Sequence, residues 1–316
     1  MIRRLRHTRR GAFLGGLLSL TTAATALAGC ATPPSGLTPS AGSSPPAAPS
    51  PSTVGQAPVL LPGGWQVIAM DDRVLDRARN VYVPGVLPRH AMLAPNGLRY
   101  AVTGEDPQVV EIAGGKATRL NQAPALSLRL DPWSPDGDRL VVTTSRKEPF
   151  AMGFAVIDVA SGKASVHWVD RSRHDCSQCS FVFTRDGKEI AMAVANRAGG
   201  EAAELVASVQ LFDATTGVPT RSLPIKAMPD SPFAWSPDGR QVIARPDGLR
   251  REYQVVDTRT GEAKPFPHAA VWATADALLA EAQGRVLTLR PDGYVAAEVA
   301  LAPGLVGPVA FGPPAP

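Results

Sequence analysis

Trp133-Ser134-Pro135-Asp136-Gly137 recurs unchanged as Trp235-Ser236-Pro237-Asp238-Gly239. Phe183-Thr184-Arg185-Asp186-Gly187 and Leu93-Ala94-Pro95-Asn96-Gly97 are looser copies, and Trp272-Ala273-Thr274-Ala275-Asp276 is the most eroded. Counted from the leading residue, the copies stand 40, 50, 52 and 37 residues apart. A phrase returning at such intervals marks a repeat architecture.

A second phrase interleaves with the first. Ile157-Asp158-Val159-Ala160-Ser161-Gly162 returns as Phe212-Asp213-Ala214-Thr215-Thr216-Gly217 and as Val256-Asp257-Thr258-Arg259-Thr260-Gly261. Ile112-Ala113-Gly114-Gly115 and Leu289-Arg290-Pro291-Asp292-Gly293 fill the same place. Each unit therefore carries two tight hairpins. In the first, Pro sets φ, Asp or Asn follows, and Gly takes the positive-φ site. In the second, Asp bonds its own backbone two residues on, and Gly again supplies positive φ. Between the turns run short apolar stretches without a 3.6-residue period, which predicts an all-β fold. The aromatic before the first turn is expected at the end of the innermost strand, filling the wedge between units.

These units resemble the TolB-type, WD40-like β-propeller repeat, over roughly residues 65–312. The resemblance implies four-stranded antiparallel blades and says little about function, because one repeat serves unrelated roles. Six blades are expected, with five the alternative. Val309-Ala310-Phe311-Gly312 reads as an inner strand. Val59–Leu61, Trp65–Met70 and Val81–Val83 read as three strands that lack one. One blade built from both termini would leave no open edge.

The net charge is +4, but it does not describe a nucleic-acid surface. Arg3, Arg4, Arg6, Arg9 and Arg10 precede residue 30 and no acid does; without them basic and acidic residues nearly balance. A basic start followed by an apolar run from Ala12 to Ala28 is a signal peptide by pattern. Leu27-Ala28-Gly29-Cys30 resembles a bacterial lipobox, which implies cleavage before Cys30 and a diacylglyceryl thioether on it. Thr8-Arg9-Arg10-Gly11-Ala12-Phe13 resembles a twin-arginine export motif, with the general secretory route as the alternative. Residues 31–58 hold eight Pro, six Ser and no charge, the composition of a disordered tether. The organisation expected is a signal peptide over 1–29, a lipidated Cys and tether over 30–58, and a propeller over 59–316. The chain is expected as a monomer on the extracytoplasmic side of the cell membrane.

In a propeller the two tight turns share one face. The longer connections share the other: 145–153, 195–208 and 244–252 within blades, 169–179 and 223–232 between them. Variable loops on a rigid scaffold are where binding concentrates. Asp136, Asp186, Asp238, Asp158, Asp213 and Asp257 recur and are read as turn chemistry. The candidate binding face comprises Arg146, Lys147, Arg171, Arg173, His174, Arg250 and Arg251. Cys176 and Cys179 form a C-x-x-C in the crossover into the third repeat unit of the sequence, the fourth blade once the one shared by the termini is counted first. Outside the cytoplasm the pair is expected as a disulfide; metal binding with His174 and His167, or redox chemistry, are the alternatives. His90, His167 and His268 are read as structural. No G-x-S-x-G, H-E-x-x-H, EF-hand loop or phosphate-binding Gly loop is present. No acid recurs unpaired at an inner-strand start. No enzyme, cofactor or metal is expected. The expectation is a non-catalytic scaffold binding an envelope protein, peptide or glycan, with a metal-assisted hydrolase or a C-x-x-C redox protein as alternatives.

Overall fold

The computed structural model describes residues 58–70, 73–85, 87–88, 91–102, 107–120, 130–196, 205–246, 252–301 and 309–314. The signal peptide, Cys30, the tether through residue 57, His90, Arg250 and Arg251 lie outside the described residues. All described residues belong to one compact unit, Thr53–Pro316.

Among these residues the strands form six antiparallel sheets, each ordered as in a propeller blade. Blade 1 places Val309–Gly312 innermost, followed by Gln66–Met70, Arg73–Asp76 and Val81–Pro84. Blade 2 runs Met92–Leu93, Arg99–Val102, Gln108–Glu111 and Ala117–Arg119. Blade 3 has three strands, Arg139–Lys147, Phe150–Asp158 and Ala164–Trp168. Its inner position is reduced to a single bridge, Trp133 to Leu140. Blade 4 runs Cys176–Phe183, Glu189–Asn196, Leu205–Asp213 and Pro219–Leu223. Blade 5 runs Met228–Pro229, Gln241–Arg245, Tyr253–Asp257 and Ala263–Phe266. Blade 6 runs Val271–Trp272, Leu278–Ala282, Arg285–Leu289 and Val295–Ala300.

The ring closes where expected, through Gln66 opposite Gly312 and Val67 opposite Phe311. One detail differs. Val59–Leu61 contributes only an isolated bridge from Leu60 to Gln66, and the third strand is Arg73–Asp76 instead. The reason is Pro62–Gly64, which forms a 3-10 turn and cannot continue a ladder.

The turns follow from their residues. At Ser236–Gly239 the Gly239 N–H donates to the Ser236 carbonyl at 2.9 Å, with Gly239 at φ 69°. The Asp238 carboxylate accepts the Ser236 hydroxyl at 2.7 Å and the Arg240 N–H at 3.0 Å. The second turn repeats at Asp158, Asp213 and Asp257; Asp257 accepts the Thr260 N–H at 2.7 Å. Hydrogen bonds from the following Ser or Thr hold all three carboxyls below the usual range.

The core lies between neighbouring blades. Val182, Ala191 and Leu211 of blade 4 meet Trp235, Val242 and Ile243 of blade 5, which in turn meet Trp272 and Leu278 of blade 6. Trp133 is 0 % exposed, and its indole N–H donates to the Met92 carbonyl of blade 2 at 3.0 Å. The indole N–H groups of Trp235 and Trp272 are buried and find no acceptor among the described residues.

Trp133 therefore joins two blades by volume and by one hydrogen bond. Replacing it by Ala is expected to cost about 3–5 kcal/mol. Trp133→Phe, which keeps most of the volume but orphans the Met92 carbonyl, is expected to cost about 1–3 kcal/mol. Denaturant titration of both variants tests the order; equal losses would mean that the ring's volume contributes nothing beyond the hydrogen bond.

Candidate functional site

Blade 3 departs from its siblings on the loop face. Residues 145–153 are not a loop, as the sequence suggests, but the continuation of two nine-residue strands. Pairing persists through Ser145 opposite Met152, Arg146 opposite Ala151 and Lys147 opposite Phe150. Glu148-Pro149 makes the turn of this β-ribbon arm through a cis peptide. Thr143-Thr144-Ser145-Arg146 and Phe150-Ala151-Met152-Gly153 can all sit in a ladder; the polar run Ser145–Glu148 and the Pro149 and Gly153 that follow are what made the stretch resemble a loop.

The arm presents aromatic surface capped by cations. Phe150 is 62 % exposed and Trp168, on the neighbouring outer strand, is 40 % exposed. The Arg146 guanidinium lies 4.8 Å from the Trp168 ring centre, and that of Arg171 lies 5.9 Å from Phe150. Such pairs contribute about 0.5–1 kcal/mol each at exposed sites. Arg171 also donates to Asp175 at 2.9 Å, which fixes its side chain across the arm. The register places Arg146 and Trp168 on one face of the ribbon and Lys147 and Phe150, with Arg171 over its ring, on the other. Arg173 is 80 % exposed and pairs loosely with Asp170 at 3.5 Å. His174 turns inward, its ring edge-on to Phe212 at 5.9 Å. Phe150 and Trp168 were missed in the sequence; a large apolar residue directly after Glu148-Pro149, in a stretch otherwise polar, was the available signal.

Cys176 and Cys179 are joined by a disulfide. The pair is not in a crossover. It opens the inner strand of blade 4, where the register shifts between Cys176 and Phe181. Cys179 sits at φ 44°, and its carbonyl accepts the Thr143 hydroxyl of blade 3 at 2.8 Å. The small loop is therefore tied to a neighbouring blade. Cys176 is 3 % exposed and packs with Phe181, Phe183 and Val169.

Two acids come close through their backbones near the axis, where the sequence predicts no recurring unpaired acid. The Asp131 N–H donates to the Asp230 carbonyl at 2.8 Å. Asp131 stands two residues before Trp133, and Asp230 five before Trp235. The difference is the three-residue 3-10 turn Pro232–Ala234, which hides the correspondence from the sequence. Asp230 is paired with Arg245 at 3.0 Å and accepts the Tyr253 hydroxyl at 3.3 Å. Burial still pushes its carboxyl up, against the pull of Arg245. Asp131 keeps some solvent contact, but the protein packed around it raises its carboxyl to about 7, opposed only by the Trp133 N–H. Beside Asp230 lies a pocket of about 330 Å³, largely apolar, with Tyr253, Glu281 and Phe311 in its wall. At the turn-face side Phe233 packs edge-on to Trp65 at 5.0 Å. Arg185 lies over Phe233 at 5.4 Å and donates to the Trp235 and Trp272 carbonyls at 3.2 and 2.7 Å. Four blades are thus linked there. Among the described residues no three His, Cys, Asp or Glu converge as metal ligands.

No family model matches the chain, and no curated protein matches it. Among solved structures it is similar to TolB from Acinetobacter baumannii, at 14% identity and TM-score 0.42 over 70% of this chain and 57% of that one. A putative TolB from Agrobacterium tumefaciens overlaps at 12% identity and TM-score 0.42, over 66% and 80% of the two chains. Hydrazine synthase from Kuenenia stuttgartiensis overlaps at 16% identity and TM-score 0.39, over 78% and 84%. The overlaps are partial, and the propeller assignment rests on the six blades themselves.

Asp131 makes stability depend on pH. Unfolded, it loses its proton near 3.9; folded, near about 7. Between these values the native state holds a proton that the unfolded state has released, so stability falls as pH rises through that window. Asp131→Asn keeps the oxygen that accepts the Trp133 N–H and cannot ionise. Thermal melts from pH 4 to 8 should show the wild-type Tm falling more steeply than that of Asp131→Asn. Parallel curves would show that Asp131 ionises normally.

Proposed function

We propose that this chain is a lipid-anchored extracytoplasmic protein whose propeller is a non-catalytic binding module. Cys30 carries the anchor, the Pro/Ser-rich segment is the tether, and the partner is an envelope protein, peptide or glycan. The observation that carries the reading is the blade 3 arm, where Phe150 and Trp168 stand exposed with Arg171 and Arg146 over their rings. Exposed aromatics held in place by guanidinium groups are the residue types that dominate binding energy at interfaces. Both rings are already ordered by their cations, which lowers the entropic cost of docking.

A second reading has one observation in its favour. Asp230, whose carbonyl accepts the Asp131 N–H, lines a pocket near the axis, where a hydrolase could polarise an ester or lactone. Asp230 is engaged by Arg245 and Tyr253, which leaves Glu281 in the pocket wall and Asp131 nearby as the acids to serve as a base. A redox role for Cys176–Cys179 gains no support, because one sulfur-bearing side chain is buried and the loop is bonded to Thr143.

In an envelope fraction, Cys30→Ala should move the protein from membrane to soluble material; continued membrane association would contradict the anchor. Affinity capture from envelope extract should recover a partner with wild type and lose most of it with Phe150→Ser plus Trp168→Ser. Both side chains are exposed, so the fold should survive. Capture unaffected by the pair would exclude the arm as the binding surface.

A further inference from the structure

On the turn face, neighbouring blades are stitched by side chains that donate into the next blade's first turn. Between blades 2 and 3 the Asn96 amide donates to the Asp136 carbonyl at 2.9 Å, and Arg99 pairs with Asp138 at 3.0 Å. Between blades 3 and 4 the Arg139 guanidinium donates to the Gly187 carbonyl at 2.8 Å. Arg99 and Arg139 hold the same place in the repeat, two residues after the turn glycine. In blade 4 that place is Glu189, and Asp186 replaces Asn96. Neither carboxylate can donate across the seam. Glu189 instead turns along its own blade and accepts Arg221 at 2.8 Å and the Thr220 hydroxyl at 2.6 Å.

The consequence is a gap. A Cβ built on Gly137 would collide with the Asn96 amide, and one on Gly187 would lie 2.9 Å from the Arg139 guanidinium. One on Gly239 would meet nothing within 4 Å. The seam between blades 4 and 5 opens as a cleft of about 700 Å³, walled by Asp186, Glu189, Asp238, Gly239 and Trp235. The Gly239 carbonyl accepts one bond there, from Thr258 at 2.9 Å, and a carbonyl oxygen has two lone pairs. Two cations in the wall are committed: Arg221 to Glu189, Arg185 to the Trp235 and Trp272 carbonyls. Arg259 is exposed at the rim. Trp235 is 3 % exposed, and its indole N–H has no acceptor among the described residues.

We propose that the open seam between blades 4 and 5 receives an arginine side chain displayed by a partner peptide. The protein itself shows what fills such a seam: Arg99 and Arg139 do so at the two preceding seams. A guanidinium reaching the Asp238 and Gly239 carbonyls would find the Asp186 and Glu189 carboxylates beside it, the forked charge-assisted arrangement that favours Arg over Lys. This site lies on the face opposite the arm, so either can fail without the other.

The full chain is titrated with end-blocked Gly-Arg-Gly and with its citrulline counterpart, the uncharged isostere. Binding is read by calorimetry and by the indole N–H resonances of the five tryptophans, that of Trp235 identified by Trp235→Phe. The arginine peptide should bind at least about tenfold tighter than the citrulline peptide and shift the Trp235 resonance. Asp186→Asn, which copies Asn96, should weaken binding by closing the seam from within. Glu189→Arg combined with Arg221→Glu, which copies Arg139 and keeps the pair, should do so more strongly. If the double change prevents folding, Asp186→Asn alone decides. Absent binding, equal affinity for citrulline, or affinity unchanged in the variants overturns the proposal.

Discussion

The antiparallel pairing of Val309–Gly312 with Gln66–Met70 is the constraint on which the remaining structure depends. Without it the inner edge of blade 1 would expose a row of unpaired backbone groups, and the ring would have two loose ends. With it, strands from opposite ends of the chain share one sheet, and every blade is packed on two neighbours. The aromatic wedges need this arrangement, since Trp133 finds its acceptor in blade 2 and Trp235 packs between the sheets of blades 4 and 6. So do the axial contacts, in which Arg185 of blade 4 reaches carbonyls of blades 5 and 6. Such closure orders much of the chain before it is rewarded, which makes folding slow by comparison with local topologies.

A closed ring of similar units is a neutral scaffold, and its chemistry sits where the units differ. Blade 3 carries two nine-residue strands out to a tight turn and presents Phe150 there. Blade 5 inserts Pro232–Ala234, which sends Phe233 toward Trp65 and brings Asp230 opposite Asp131. Blade 4 replaces the stitching cation with Glu189 and leaves a seam open. Each departure is small in sequence. Each changes what the surface offers: an aromatic platform, a pair of acids in protein surroundings, and a cleft lined by carbonyls and carboxylates.

The repeated turns were legible because their chemistry is local. Pro, Asp and Gly within five residues determine the hairpin, and the spacing of their copies indicates the blades. The closing blade was legible because Val309–Gly312 is a strand with no partner nearby in sequence. What escaped depends on contacts across the ring. The strand character of 145–153 comes from cross-strand pairing of Ser145, Arg146 and Lys147, which carry no apolar signal, with Met152, Ala151 and Phe150. Asp131 and Asp230 meet only because a three-residue insertion offsets them. Glu189 is distinguished from an ordinary surface acid only by its place in the repeat, where Arg99 and Arg139 are its counterparts. The turn face, read as structural throughout, is stitched at the seams after blades 2 and 3 and open at the seam after blade 4.

The central claim is that partner contacts gather where the repeat is broken, first of all at the blade 3 arm. Photo-crosslinking in intact cells tests it most directly, with the reactive residue placed in turn at Phe150, at Trp168, and at two repeated turn positions, Ser161 and Asp292. The account predicts a discrete covalent adduct from Phe150 and Trp168 and none from the two turns. Adducts from Ser161 or Asp292, with Phe150 and Trp168 silent, would contradict it.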